Sequence, residues 1–330
     1  MNKININKIN IRKIKEIFNN PVFVKETKIQ VRNIKFALTI LFYNLILIAI
    51  AMFGFEVMMD NGFAGYVDYG DAIYVYDMLI CLESFMVGFL VPSLTAGSIA
   101  GEREKQTLEI LLTTPLKPLE IVWGKLMASI CMILLLVVSS LPVVSLIFTI
   151  GGIKLAHLLQ FVCLVFVAAI MLGSVGVWAS SMLKKTLLAT VFTFGGIIVL
   201  CGVTLIAVGI ISGVANMIYA VNYGYAATGS PDVSLSLLIL LVNPGVTLFE
   251  MIMHQSEGFS LISEMNDAFG GNLPRFLVNH WFLFSLISQI AVAIFFMKLA
   301  AKFLDPTREP RLKKAKKRKK MKRPPVNMGT

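Results

Sequence analysis

Charge is scarce in this 330-residue chain: Asp, Glu, Lys and Arg make up 15% of it, against 57% hydrophobic residues. The mean hydropathy is +0.78. A soluble domain carries about a quarter of its residues as charge, so that class is excluded. The four cysteines, Cys81, Cys131, Cys163 and Cys201, fall singly in four apolar runs, without metal or redox spacing. They read as small buried hydrophobes. Three histidines, His157, His254 and His280, show no two-His ligand spacing, which excludes the zinc-protease pattern. Paired acids inside an apolar run are also missing, and with them an intramembrane acid protease. Gly124-Lys125 is followed by Leu126 and preceded by no Gly-rich loop. Backbone amides therefore cannot cradle phosphates there as a P-loop does. The chain is expected to have no catalytic motif, no metal site and no cofactor of its own.

What is abundant is long apolar sequence. Runs of about 20 residues match a helix crossing a hydrocarbon core of roughly 30 Å. Six spans are expected, at 36–55, 78–99, 120–148, 156–182, 186–212 and 280–303, giving an all-α membrane protein. The first run follows some 35 polar, basic residues and has no small-residue cleavage pattern, so it reads as a retained span. A cytoplasmic leader (1–35), a six-span domain (36–303) and a polybasic tail (304–330) follow from this division.

Lys and Arg are distributed on one side. Nine precede the first span, none lies between spans 1 and 2, and thirteen fall between Lys298 and Arg323. With Arg103, Lys105, Lys117, Lys125, Lys184 and Lys185, 28 of the 30 bases share a side in a six-span topology. The positive-inside rule makes that side cytoplasmic, with both termini. A cell-membrane location follows. The segment 236–253, SLLILLVNPGVTLFEMIM, is apolar enough for a seventh span, but Asn-Pro-Gly interrupts it. A seventh crossing would also put the basic tail outside. A re-entrant or interfacial pair of short helices within the outer segment 213–279 is the expectation.

Asn20-Pro21 marks a helix start, with an N-cap residue before proline. On one helix, Phe23, Thr27, Val31, Ile34 and Leu38 lie within about 80° of one another. Lys25, Lys28, Arg32 and Lys35 take a neighbouring face. That is the pattern of a helix lying in the membrane interface, although a plain basic leader would also obey positive-inside. Before it, Ile11, Ile14 and Phe18 form a shorter apolar stripe. The tail packs ten bases into 311–323. It is read as disordered and attracted to anionic lipid. With no aromatic platform or folded module, no nucleic-acid partner is expected.

Glu83 is the one acid well inside a span, and an intramembrane carboxylate is a pathway candidate; snorkelling or a bond within the bundle is the plainer reading. In span 5, Gly195, Gly202 and Gly209 recur every seven residues near one face, with Gly213 one turn further. Small residues let helix backbones approach in lipid. The sequence leaves open whether this helix-packing face meets the same chain or a second one.

Between spans 2 and 3 lies GEREKQTLEILLTTPLKPLEIVWGK, residues 101–125. From Glu102 to Leu112 it favours helix. Leu108, Leu111 and Leu112 share one side, Arg103, Gln106 and Glu109 another, and Ile110 falls off the leucine face. Thr113-Thr114-Pro115 stops the helix. This hairpin, 101–118, is either a simple loop resting on headgroups or a stiff element through which a partner pushes on spans 2 and 3.

The hairpin resembles the segment after span 2 in type-2 permeases of ATP-binding-cassette exporters. The likeness rests on Glu102-Arg103-Glu104, Thr107-Leu108-Glu109, Leu111-Leu112, Thr114-Pro115 and Gly124-Lys125, and on NPVFVKE from Asn20 to Glu26. The resemblance implies a separate cytosolic ATPase, which holds the ATP and Mg, docked on the hairpin as a coupling helix. It also implies a second permease subunit, identical or not, paired through spans 1 and 5. Two other classes compete with this expectation: an ATP-independent carrier or channel, and a membrane scaffold.

Overall fold

The computed structural model describes residues 21–60, 72–113, 115–150, 154–223 and 231–304, all helix or connecting turn and no strand among them. The leader stripe, the cap at Asn20, Thr114 and the polybasic tail from 305 onward lie outside the described residues.

Among the described residues, six helices are long and apolar enough to cross a membrane: α2 (Ile34–Asp60), α3 (Ala72–Glu104), α5 (Pro118–Ile150), α6 (Leu155–Met182), α7 (Thr186–Tyr223) and α11 (Trp281–Leu304). Each covers an expected span. The largest differences are at α3, which starts at Ala72 rather than 78, and α7, which runs on from 212 to Tyr223. Asp77 interrupts the apolar run within the first turns of α3, and Ser212 and Asn216 thin it towards the end of α7, but none of them interrupts backbone hydrogen bonding. Hydropathy marks where lipid would be; the helix ends where its hydrogen bonds end.

Helix α6 stands at the centre, packed against α3, α5, α7 and α11. In its most apolar stretch 56% of residues are buried, against 17% in α2 and 6% in α7. Two glycines let α3 approach it. A Cβ on Gly176 would collide with Thr95 Oγ1 of α3, and one on Gly173 would stand 3.4 Å from Thr95 and Val91 of α3 and 2.7 Å from Leu126 of α5. Nearer the hairpin, the Ser180 hydroxyl accepts from the Ile99 and Ala100 amides, fastening the same two helices by polar contact.

The interrupted segment forms a 3-10 helix (Ser234–Val242) and then α8 (Pro244–Ser256), bent by 107° at Asn243. Nine 3-10 residues rise about 18 Å, and α8, leaning back past a right angle, returns part of it. The pair therefore advances about 12 Å along the first helix's axis and spans about 22 Å end to end, both short of the roughly 30 Å of a hydrocarbon core. Asn243 caps α8 through the Gly245 amide, and its Nδ2 donates to Cys201 O and Thr204 Oγ1 of α7. Short helices α9 (Leu261–Ala268) and α10 (Arg275–Asn279) complete this end of the bundle. Two others lie at the opposite end: α1 (Pro21–Val31), against α5, and α4 (Leu108–Leu112), within the hairpin.

Candidate functional site

The hairpin end of the bundle gathers residues that are remote in sequence. Lys125, in the first turns of α5, has a side chain only 2% exposed and makes two ion pairs, 2.9 Å to Glu102 and 3.0 Å to Glu26. Glu26 belongs to α1 and Glu102 to the end of α3. An ammonium taken out of water needs such partners, because desolvation of an unpaired charge costs several kcal/mol. One lysine thus ties together α1, α3 and α5.

The next two hairpin residues reach elsewhere. Arg103 donates from Nη1 to Leu183 O and from Nη2 to Ser181 O, each at 3.0 Å. Those carbonyls belong to the C-terminal end of α6, where helix carbonyls lack internal donors and a cation is favoured. Glu104 Oε2 accepts from Thr186 Oγ1 at 2.6 Å and from the Thr186 amide at 3.2 Å. Thr186 opens α7, where an anion complements the helix dipole. Three consecutive side chains, Glu102, Arg103 and Glu104, therefore hold three different parts of the bundle.

Past Glu104 the chain turns on Gln106, whose φ of 59° is left-handed. The Thr107 amide and hydroxyl both donate to Glu102 O. On α4, Leu108 is 6% exposed and packs with Ile99, Ile121, Val122 and Met297, with Leu111 and Leu112 against the same cluster. Ile110 is 69% exposed, and Glu109 is exposed beside it. The leucine side is therefore turned neither to headgroups nor to a partner. The leucines face the bundle, because α3, α5, α6 and α11 offer them an apolar bed that the sequence pattern alone does not reveal. The exposed surface includes Lys105, Gln106, Thr107, Glu109 and Ile110, with Thr113, Pro115 and Lys117 beyond them.

The stripe expected on the N-terminal helix is also corrected. Helix α1 ends at Val31, Asn33 Oδ1 accepts from the Lys35 amide, and a new helix begins at Ile34. The break separates Phe23, Thr27 and Val31 from Ile34 and Leu38, so the five do not share one face. Val22 is buried and Phe23 half-buried, while Val31 and Ile34 are exposed. Lys25, Lys28 and Arg32 are exposed.

Glu83 lies far from the hairpin, fully buried between α2, α3 and α5. Ser140 Oγ stands 2.6 Å from its Oε1, and Tyr43 turns towards the same group without completing a hydrogen bond. Gly195, Gly202, Gly209 and Gly213 have open space where a Cβ would stand. None of them packs against the described residues of this chain. The glycines that do, Gly173 and Gly176, went unremarked in the sequence, although GSVG in span 4 was a legible signal. Among the described residues no three His, Cys, Asp or Glu side chains gather as a metal site.

The family model for ABC-2 family transporter proteins matches residues 20–304. No curated protein matches the chain at a significant level. The matched region takes in α1, the hairpin and all six long helices, and the chain belongs to the ABC-2 family of transporter proteins, as a multi-pass membrane permease.

Proposed function

We propose that this chain is the transmembrane subunit of an ATP-driven exporter, coupled through its hairpin to a separate ATPase that holds ATP and Mg. The observation that carries the reading is the fastening of the hairpin. Glu102, Arg103 and Glu104, at the end of α3 just before α4, bond to Lys125 near the start of α5, to the end of α6 and to the start of α7, and Lys125 in turn holds Glu26 of α1. A load applied at Ile110 and Glu109 is passed to several spans together rather than absorbed by a loose loop. On this reading both termini and the hairpin are cytoplasmic, as the basic residues favour, and α8 to α10 face outward. Helix α1 lies in the interface, and the basic tail meets anionic lipid.

A second permease subunit completes the pathway. Helices α2 and α7 bury the least of their apolar surface within one chain, and the glycine edge of α7 is open for close approach by another helix.

The test is purification in mild detergent from the native cell. A stoichiometric ATPase is expected with the wild type, and Ile110→Asp should insert at normal yield but arrive without it. A wild-type chain that repeatedly purifies alone, with no ATP turnover, would overturn the proposal.

A further inference from the structure

Midway along the bundle, α3, α6, α7 and the first turn of α8 enclose a cavity of about 580 Å³. That volume suits a compact organic molecule. Its lining is almost wholly hydrocarbon and includes no charged residue. Phe85 and Ile198, 76% and 68% exposed, stand on it, so the cavity opens sideways where these helices face lipid. Phe89 and Phe194, rings 5.2 Å apart, bridge α3 and α7 along one wall. Pro244 and Gly245, at the bend, close another. Every wall comes from one chain, so the space exists without a second subunit. Glu83 does not line it.

Two features of the wall are unused by the fold. Ser84 lines the cavity; its hydroxyl is covered by protein and has no hydrogen-bond partner, so it reaches the cavity by rotating about χ1. Ser139, Ser140 and Ser174 instead return theirs to a carbonyl one turn back. A buried, unmatched hydroxyl is costly unless something else satisfies it. One turn on, and so on the same face, is Gly88, where an added Cβ would meet nothing within 4 Å. Pro92 has no N–H to give the Gly88 carbonyl. The wall is thus recessed at Gly88, with a spare hydroxyl and a carbonyl short of its donor close together.

We propose that this cavity binds one compact, uncharged, mostly apolar molecule drawn from the bilayer, with a single hydrogen-bonding group held at Ser84. A charged headgroup would find no partner at this depth, and the lateral mouth admits what is already dissolved in lipid. The proposal stands whether or not the chain engages an ATPase.

The full chain in nanodiscs, titrated with the neutral three-ring amine 1-aminoanthracene, tests it. Fluorescence above that of protein-free nanodiscs should saturate at one probe per chain. Gly88→Leu, whose Cβ would meet no protein within 4 Å and whose branch enters the recess, should lose the saturable component and keep its thermal unfolding midpoint. Ser84→Ala should keep the stoichiometry but bind about three- to tenfold more weakly. Absence of saturable binding, or undiminished binding by Ser84→Ala, would overturn the proposal. So would displacement of the probe from detergent-solubilised protein by added phospholipid, which would give the cavity to an acyl chain.

Discussion

Lys125 and Glu102 lie 2.9 Å apart at the root of the hairpin, and the lysine has almost no contact with solvent. Glu26 shares the same ammonium. Without the lysine, two carboxylates would face each other with no counter-charge. Lys125→Met should destabilise the fold by about 3–5 kcal/mol, the usual result of breaking a buried pair from one side. Adding Glu26→Gln and Glu102→Gln should recover most of that loss, because the uncompensated charge is gone. Thermal unfolding of the single and triple variants in one detergent makes the comparison; equal losses would show that lysine packing, not charge, is what matters.

Leu108 and Ile110 are two residues apart and have opposite surroundings. Truncating buried Leu108 to Ala should cost about 2–5 kcal/mol, while Ile110→Ala should change stability by less than about 0.5 kcal/mol. Unfolding midpoints decide it. Ile110→Ala is then the milder companion to Ile110→Asp for measuring ATPase retention.

The contrast between these two residues shows what the sequence could tell. Hydropathy located all six long helices, because apolar length is a property of each segment alone. The Asn-Pro-Gly break was likewise local and legible. Which side of α4 is covered depends on α3, α5, α6 and α11 arriving from distant parts of the chain, and the leucine pattern indicated only that one side would be. The meeting of Glu26, Glu102 and Lys125 was hidden for the same reason. Each residue was visible within a motif, but their convergence is a tertiary fact. The break at Asn33 was missed because the apolar spacing continues across it.

Two sets of glycines should respond differently to alanine. At Gly176 the new methyl would collide with Thr95, whose own hydroxyl is committed to Val91 O. Overpacking of this kind costs about 1–3 kcal/mol. Gly195→Ala and Gly202→Ala should leave the single chain as stable as before, since nothing stands near. If α7 meets a second subunit, these two will instead shift the monomer–dimer balance, read by crosslinking at matched protein-to-detergent ratios.

At the other end of the bundle, Asp232 accepts from Asn272 Nδ2 and from Ser234, and these bonds hold its carboxyl below the ordinary value of 3.8. A lowered folded-state pKa contributes stability above the unfolded value, lost as pH falls through the folded one. Amide protection at Val233, which donates to Phe269 O, should therefore persist through about pH 3.8 and decline only below it, once intrinsic exchange rates are removed. Gly270→Ala should abolish the protection at every pH. Its φ is +107°, and a Cβ would stand 2.8 Å from the Asp232 Cα.

Ser140 Oγ has two neighbours at hydrogen-bonding distance, Glu83 Oε1 at 2.6 Å and Val137 O at 2.7 Å. A hydroxyl carries one proton, and a backbone carbonyl only accepts. Both contacts are bonds when Glu83 holds a proton and gives it to Ser140, which gives its own to Val137. A neutral carboxyl also avoids placing an ion among Tyr43, Tyr76 and Leu79, where no cation is available to it among the described residues. Glu83→Gln can donate through its amide in the same way and should change stability by no more than about 1 kcal/mol, whereas Glu83→Ala, which removes the donor to Ser140 and leaves a cavity while Ser140 keeps its bond to Val137, should cost about 1–3 kcal/mol. Infrared difference spectra of wild type and Glu83→Gln at neutral pH should show a protonated-carboxyl stretch only in the wild type. A carboxylate band in its place, with a large loss of stability in the Gln variant, would mean that the buried group is an ion.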